Sequence, residues 1–413
     1  MKITTMRRLD RWFGVPICAL LSGLRKLLAP WRPNGTETVR RALVVKLAEQ
    51  GSTVLAYPAL QHLADRVGRD NLFALVFAEN RFILDALEII PPDHVITIDA
   101  TNLWRFTCST LKALRTIRAA AIDTAFDFEF FSRATAILTL LSGARNRIGL
   151  HAAPGEGGYR GDLMTHRIHF NPNLHTTDLF LAMACAPEQA RGDLPALSMA
   201  PKPAEDLPQA EFALRPEHER GARQILTTKY GGDPGRPLVL LNANCSDMLP
   251  LRRWDSDRYV ELARGILDRW PTASVAFTGD PGEAPAAAQL VQTVGNPRRV
   301  SLAGHTSLTE LLAIYHLADI LVTNDSGPAH FASLTPIHVI TLFGPETPHL
   351  FAARTPRSHV LWAGLACSPC VNAFNGRYSA CRDNQCMQHI AVAAVMDRIS
   401  RIAADAQLTA SPG

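Results

Sequence analysis

Short apolar runs alternate along most of this chain with segments in which apolar residues recur every three or four positions. In the first half, the runs cover residues 42–47, 72–77, 95–98 and 124–128. An unbroken short run predicts a strand buried on both faces of a sheet, and the longer period predicts an amphipathic helix. The pattern therefore predicts a domain of alternating strands and helices around a parallel sheet.

The second half of the chain repeats this alternation. Strands are predicted over residues 237–242, 274–277, 320–322 and 337–343, and helices over 256–269, 283–294, 308–317 and 387–404. Between the halves, a proline-rich region without periodicity predicts a linker over residues 191–216. A chain of 413 residues can bury two cores, so we expect an α/β protein with domains over 38–190 and 217–386, a cleft between them, and a C-terminal helix and tail over 387–413.

The strand over 320–322 runs into the turn Thr323-Asn324-Asp325-Ser326-Gly327, after which a short helix begins with Pro328. Gly327 lets another backbone come close, and the free amides at a helix N-terminus attract anions. The turn therefore predicts a binding site for a phosphate or diphosphate. The alternative is an ordinary strand-to-helix turn in which Asp325 or Ser326 caps the helix.

Four other residues of the second half follow or flank predicted strands. Arg252 could grip a phosphate with paired donors, and Asp280 could accept hydrogen bonds from ribose hydroxyls. His330 is a candidate partner for a diphosphate leaving group. Each has a structural alternative: a solvated arginine, a capped Pro/Gly turn and a packed helical histidine. Thr306 is a further donor-binding candidate, for which the favoured alternative is a role in capping the following helix.

In the first half, the loop after the strand over 42–47 contains Glu49, Gly51 and Ser52. Gly51 permits close approach of a ligand, and Glu49 is a carboxylate placed to act as a general base. The alternative for Glu49 is a loop acid that faces solvent.

Positive charge is concentrated at the front of the chain, although the overall net charge is only +4. Residues 1–45 hold nine Lys or Arg residues against two acidic residues, a net charge of +7. The apolar run 12–24 lies among them and is shorter than the roughly 20 residues of a membrane-spanning helix. We expect residues 1–37 to anchor the protein on an anionic membrane surface. The alternatives are a helix packed on the protein itself and a signal peptide, which Arg25 and Lys26 disfavour.

Four of the eight cysteines lie close together in sequence, with the spacing C-x2-C-x10-C-x4-C over Cys367, Cys370, Cys381 and Cys386. This spacing suits a structural zinc site or a redox-sensitive cross-link, and packed loop thiols are the alternative. The other cysteines show no pairing pattern, so reduced thiols in a cytoplasm are expected.

The segment LADILVTNDSGPAHFASLTPIHVITLFGP resembles the signature of glycosyltransferase family 9, the bacterial heptosyltransferases of lipopolysaccharide synthesis. SLAGHTSLTELL and, in the first half, VVKLAEQGSTVLAYPALQHL are similar to other stretches of the family. The resemblance implies a GT-B fold, in which two Rossmann-like domains flank a cleft. It also implies that Arg252, Asp325, Ser326 and Gly327 bind a nucleotide-diphosphate sugar, such as ADP-heptose, while the N-terminal domain binds a lipid-linked saccharide acceptor.

One departure from the family pattern concerns the catalytic base. The family loop usually reads Gly-Asp, with the aspartate as proposed base, whereas here Ser52 follows Gly51. A serine without a basic partner is a poor proton acceptor, so Glu49 becomes the candidate. The hypothesis is an inverting transferase on the inner face of the cytoplasmic membrane, with no required cofactor and no nucleic-acid partner. The alternative is a relative that binds a nucleotide sugar but has lost catalysis.

Overall fold

The computed structural model describes residues 5, 10–28, 38–152, 158–188, 200–201, 203–245 and 249–408. Three predicted features lie partly outside these residues: the N-terminal segment (1–4, 6–9 and 29–37), the linker (191–199 and 202) and the C-terminal tail (409–413). The chain divides into two compact units. The first comprises Met1–Gln209 together with Asn372–Tyr378, and the second comprises Ala210–Val371 and Ser379–Gly413. A short segment near the C-terminus therefore belongs to the first unit.

A six-stranded parallel sheet forms the centre of the first unit. Its strands are β1 (Ala42–Val45), β2 (Leu72–Phe77), β3 (Val95–Ile98), β4 (Thr124–Asp127), β5 (Asn146–His151) and β6 (His166–His169). They lie in the order β3-β2-β1-β4-β5-β6, which is the Rossmann order. The helices are α1 (Gly14–Leu28), α2 (Gln50–Leu55), α3 (Tyr57–Val67), α4 (Arg81–Leu87), α5 (Leu103–Ala119), α6 (Arg133–Leu141) and α7 (Thr176–Cys185).

One face of this sheet is covered by α5 and α6. Ala113 and Ile117 of α5 share a buried cluster with Leu138 of α6 and with the strand residues Leu43 and Val45. The N-terminal helix α1 packs in turn against α6. Three helices are therefore layered on the same side of the first sheet.

The second unit repeats the architecture. Its strands are β7 (Leu238–Asn242), β8 (Ser274–Phe277), β9 (Arg299–Ser301), β10 (Ile320–Asn324), β11 (His338–Phe343) and β12 (Ser358–Trp362). They are parallel in the order β12-β11-β10-β7-β8-β9, which is again the Rossmann order. The helices are α8 (Pro216–Tyr230), α9 (Ser256–Arg269), α10 (Ala284–Val294), α11 (Leu308–Leu317), α12 (Gly327–Ala332), α13 (Pro348–Phe351), α14 (Gln385–Gln388) and α15 (Val392–Asp405).

The two sheets confirm the predicted α/β class with two Rossmann-like domains. The single helix predicted over 387–404 is wrong, because the chain forms α14 and α15 with a break between them. The break places Ile390 in the core, where its carbonyl accepts a hydrogen bond from the indole of Trp254 at 3.0 Å. In the described part of the chain, no helix combines the length and the apolar character needed to cross a membrane.

Candidate active site

The central strands of each sheet place loops where ligands bind in this fold. In a Rossmann sheet the ligand lies beyond the carboxyl ends of the strands, at the point where the strand order reverses. That point falls between β10 and β7 in the second unit, and between β1 and β4 in the first. Both candidate sites predicted from the sequence follow one of these strands.

In the second unit, the end of β10 is tied to the loop after β7 by Asn324. Its side chain is fully buried; its Oδ1 accepts a hydrogen bond from the amide of Trp254 at 3.0 Å, and its Nδ2 donates to the carbonyl of Asn244 at 3.1 Å. Arg252 lies two residues before Trp254. Asn324 therefore positions the loop that carries Arg252 by hydrogen bonds from both ends of its side-chain amide.

Arg252 lies between two carboxylates. Its Nη1 donates to the carbonyl of Asp325 at 3.0 Å, its Nε is 3.4 Å from Asp325 Oδ2, and its Nη2 donates to the carboxylate of Glu346. The side chains of Arg252, Asp325 and Glu346 are 16%, 5% and 3% exposed. Because the three residues follow the adjacent strands β7, β10 and β11, they form one polar cluster at the carboxyl edge of the sheet.

Glu346 was not among the residues singled out from the sequence. It follows β11 by three residues, so the rule that led to Asp280, an acid just beyond a strand, would have found it. With two carboxylates around one guanidinium, the cluster has a formal net charge of −1. It can therefore accept hydrogen bonds from hydroxyl groups as well as donate to a phosphate.

The turn itself differs from a simple helix cap. Ser326 occupies the cap position of α12, but its side chain makes no capping bond, and its hydroxyl donates to the carbonyl of Asn324 at 3.2 Å. A Cβ at Gly327 would lie 3.2 Å from the ring of Phe331, so a side chain there would crowd the helix. Since α12 has only six residues, its dipole adds little to anion binding, and the charged cluster is the stronger feature.

His330 lies buried within α12. Burial, together with the positive charge of Arg252, lowers the pKa of its imidazole to about 4, although the negative charge of Glu346 opposes the shift. The side chain is therefore neutral at neutral pH. It can donate or accept a hydrogen bond, but it brings no positive charge to a diphosphate.

Asp280 and Thr306 each lie at or next to the N-terminus of a helix in the second unit. The carboxylate of Asp280 accepts from the amide of Glu283 at 3.1 Å, and Glu283 accepts in return from the amide of Asp280 at 2.8 Å. This capping box supports the structural alternative for Asp280. Thr306 is half-buried beside Ser307, whose hydroxyl caps α11 by accepting from the amide of Glu310.

In the first unit, Glu49 lies just before α2 in a left-handed conformation with φ of 61°. Its carbonyl accepts both the hydroxyl of Ser52 at 2.8 Å and the amide of Ser52 at 3.0 Å. The buried hydroxyl of Ser52 therefore closes the turn. Gly51, the residue before Ser52, lies in the first turn of α2.

The carboxylate of Glu49 is held by a residue far away in sequence. Arg377 Nη1 donates to Glu49 Oε1 at 2.6 Å, and its guanidinium lies 5.6 Å from the centre of the Phe130 ring. Arg377 belongs to the segment Asn372–Tyr378 and also has a left-handed backbone, with φ of 57°. Both members of the ion pair thus have strained backbones, a feature that concentrates at functional sites.

A second, buried ion pair adjoins this loop. Lys46 Nζ lies 3.2 Å from Glu129 Oε1, which also accepts from the amide of Ala48 at 2.8 Å. Burial raises the pKa of Glu129, Lys46 opposes the shift, and the negative charge of Glu49 adds to it. Sequence reasoning missed this pair, although a lysine inside an apolar run is a usable signal.

The first unit contains a group of potential metal ligands that the sequence did not predict. Among the described residues, three side chains each place a potential ligand atom within 4.8 Å of the other two. They are His62, Cys185 and Glu188. Arg66 Nη1 lies 2.7 Å from Glu188 Oε1, so a cation there would face a guanidinium. The four C-terminal cysteines form no such group in this part of the chain, and zinc binding by them stays a prediction.

Comparison with known proteins gives one family. A model of glycosyltransferase family 9 (heptosyltransferase) matches residues 111–377. Lipopolysaccharide heptosyltransferase 2 of Salmonella typhimurium is 23% identical over 161 residues, covering 38% of this chain and 45% of that protein. The match therefore spans less than half of that relative. Lipopolysaccharide core heptosyltransferase OpsX of Haemophilus influenzae is 23% identical over 317 residues, covering 76% of this chain and 82% of that protein.

Solved structures share the fold. Escherichia coli ADP-heptose lps heptosyltransferase II has a TM-score of 0.67 at 16% identity, covering 89% of this chain and 99% of its own. A family 9 glycosyltransferase from Veillonella parvula has a TM-score of 0.66 at 17% identity, with 90% and 100% covered. E. coli heptosyltransferase WaaC with ADP-2-deoxy-2-fluoro heptose has a TM-score of 0.58 at 17% identity, with 87% and 99% covered. These likenesses confirm the GT-B fold class.

Proposed function

The chain belongs to glycosyltransferase family 9, the heptosyltransferases, and from this premise we propose that it transfers a heptose-like sugar from a nucleotide-diphosphate donor. The proposed acceptor is a lipopolysaccharide core or a related lipid-linked saccharide, as the names of its relatives suggest. The donor class is supported by the related transferase solved with an ADP-heptose analogue. The observation that carries the proposal is the cluster of Arg252, Asp325 and Glu346 at the switch point of the second sheet.

This cluster suits both parts of a nucleotide-diphosphate sugar. Arg252 would donate to the diphosphate, and its orientation is already fixed by Asp325 and Glu346. The two carboxylates would accept hydrogen bonds from sugar hydroxyls. Gly327 would allow the donor to approach the backbone closely.

We propose an inverting displacement for the chemical step. The acceptor hydroxyl oxygen attacks C1 of the donor sugar, and the bond between C1 and the diphosphate oxygen breaks. The hydroxyl proton passes to the carboxylate of Glu49, and the electron pair of the broken bond remains on the diphosphate. Arg252 stabilises the charge that develops on this leaving group.

Donor binding provides the first test. Isothermal titration of the full chain with ADP-heptose, a UDP-sugar and a GDP-sugar should give the tightest binding for ADP-heptose. Arg252→Ala should weaken binding about 30-fold or more, because it leaves two nearly buried carboxylates without their shared cation. The neighbouring exposed Arg253 offers a matched control, since Arg253→Ala should change affinity little. Equal loss in both variants, or no binding by folded wild type, would contradict the donor site.

The bond made by the Ser52 hydroxyl supports a second candidate, a relative that binds donor without transferring sugar. Because Ser52 donates to the Glu49 carbonyl, it is poorly placed to serve as a base. If Glu49 is the base, Glu49→Gln should lower transfer about 100-fold or more with donor affinity unchanged, while Ser52→Ala should remain active. Donor binding without transfer by the wild type would favour the second candidate.

The N-terminal helix α1 supports peripheral attachment to the cytoplasmic face of a membrane. Cys18 is buried against the first unit, whereas Trp12, Phe13, Leu20 and Leu27 are exposed. The helix therefore packs on the protein and still presents an apolar face. We propose that this face enters the lipid interface, with Lys26 among the basic residues beside it.

A further inference from the structure

Helix α5 of the first unit exposes large apolar side chains. Leu103, Trp104 and Leu111 are 64%, 77% and 51% exposed. Trp104, the exposed Cys108 and Leu111 are spaced by four and three residues, so they form a single stripe along the helix. Such a stripe has no role in the core, because α5 packs on the sheet through Ala113 and Ile117.

The charge of α5 is uniformly positive. The helix contains Arg105, Lys112, Arg115 and Arg118, and it has no acidic residue. Lys112 and Arg115 are exposed and lie next to the apolar stripe. Apolar residues flanked by basic residues are typical of helices that lie in the interface of an anionic bilayer.

The position of α5 links it to α1. Both Ala113 of α5 and Leu138 of α6 belong to the buried cluster on one face of the sheet, and α1 packs on α6. The guanidinium of Arg118 also donates to the carbonyl of Leu141 at the end of α6, at 2.9 Å. Helices α1 and α5 therefore both contact or adjoin α6 in the first unit.

We propose that α5 is a second membrane-contacting element, which docks together with α1 on an anionic bilayer. A bilayer fits better than a protein partner because α5 and residues 12–28, which include α1, each combine exposed Trp and Leu side chains with basic residues and contain no acidic ones. Two contacts would also fix the rotation of the first unit relative to the membrane. The inference extends the membrane contact proposed for α1, but it is independent of donor binding and transfer.

The test measures binding of the full chain to vesicles without donor or acceptor. Co-sedimentation is compared on phosphatidylcholine vesicles with and without phosphatidylglycerol. The double variant Trp104→Ser/Leu111→Ser should lower the partition coefficient about tenfold or more on anionic vesicles. Leu308→Ser serves as the matched control, since Leu308 is an exposed apolar helix residue of the second unit. The double variant Lys112→Glu/Arg115→Glu should weaken binding only when phosphatidylglycerol is present.

A spectroscopic measurement locates the contact. Lipids brominated in their acyl chains should quench part of the tryptophan fluorescence of the wild type, and Trp104→Phe should lose a measurable share of that quenching. The α1 variant Leu20→Ser/Leu24→Ser should also reduce partition, and it reports on α1 separately. The inference is overturned if the α5 variants bind vesicles like the wild type, or if Trp104 makes no contribution to quenching. It is also overturned if sedimentation velocity shows that the exposed stripe joins two copies of the chain.

Discussion

At the residue scale, the cluster of Arg252, Asp325 and Glu346 combines one positive charge with two negative charges. Two carboxylates beside one guanidinium, in a nearly buried position, keep Arg252 in one orientation. Asn324 holds the same loop through its bond to Trp254. An arginine that is already oriented loses less side-chain entropy when it binds a ligand, so this geometry would favour binding of the proposed diphosphate.

His330 gives a pH-dependent prediction. Its pKa is lowered to about 4 in the folded protein, from an ordinary value near 6.5 in the unfolded chain. Between these values the unfolded state binds a proton that the folded state does not, so the free energy of unfolding should fall as the pH is lowered from about 6.5 to about 4. The loss should reach about 3 kcal/mol at most.

Urea denaturation at a series of pH values measures this slope. His330→Gln should reduce the loss of stability over that interval, whatever its effect at neutral pH. His305→Gln provides the control, because His305 is exposed and its replacement should leave the slope unchanged. A wild-type slope retained in full by His330→Gln would show that other groups cause the acid sensitivity.

At the element scale, strands with short apolar runs were predictable and strands rich in polar residues were not. β2, β3 and β8 have apolar runs that fix their limits, and β3 does so although it lies at the edge of its sheet. The edge strands β6, β9 and β12 read HRIH, RVS and SHVLW, because a strand with one neighbour tolerates polar residues. The Glu49–Arg377 pair was equally hidden, as its members are 328 residues apart.

The returning segment Asn372–Tyr378 is the element that brings Arg377 to Glu49. Its Phe374 packs on Phe131 and Phe170, with ring centres 5.6 and 5.1 Å apart, which anchors the segment in the first unit. We predict that Arg377→Leu lowers kcat for transfer about 10-fold to 100-fold, because the carboxylate of Glu49 loses its orienting partner. Donor affinity should stay the same, since the residues proposed to bind the donor are in the second unit.

Steady-state kinetics combined with donor titration separate these effects. Arg377→Lys should restore part of the rate, because it keeps a cation near the carboxylate. Arg382→Leu replaces an exposed arginine outside the segment and should leave kcat unchanged. A parallel loss of donor affinity in Arg377→Leu would argue instead for a general structural effect.

At the scale of the whole molecule, two units with the same strand order carry different chemistry at the same topological position. The switch point of the second sheet has an arginine between two acids, whereas that of the first has the pairs Glu49–Arg377 and Lys46–Glu129. In the first unit, α1 and α5 carry basic residues, no acidic ones, and several exposed apolar side chains. The sequence predicts the repeated architecture, but side-chain pairs that join distant segments emerge only from the fold.

The two units have separate cores, and the proposed donor site lies in only one of them. We therefore predict that ligand binding stabilises the two units by different amounts. Trp254 is fully buried in the core of the second unit, next to the Arg252 loop, so the part of the tryptophan emission change that Trp254→Phe removes should report the unfolding of that unit. If the second unit binds the donor as proposed, ADP at about 100 times its Kd should stabilise that unit by about 2.7 kcal/mol and raise the temperature of its transition. Calorimetry and Trp254 emission should then agree on which transition moves, while circular dichroism follows both units. At the same ADP concentration, Arg252→Ala should reduce the stabilisation to about 0.9 kcal/mol or less, because its Kd is about 30-fold higher, and Arg253→Ala should preserve the full shift. An equal rise of every transition in the wild type would mean that the units unfold as one cooperative body, with stabilisation by ADP spread over the whole chain.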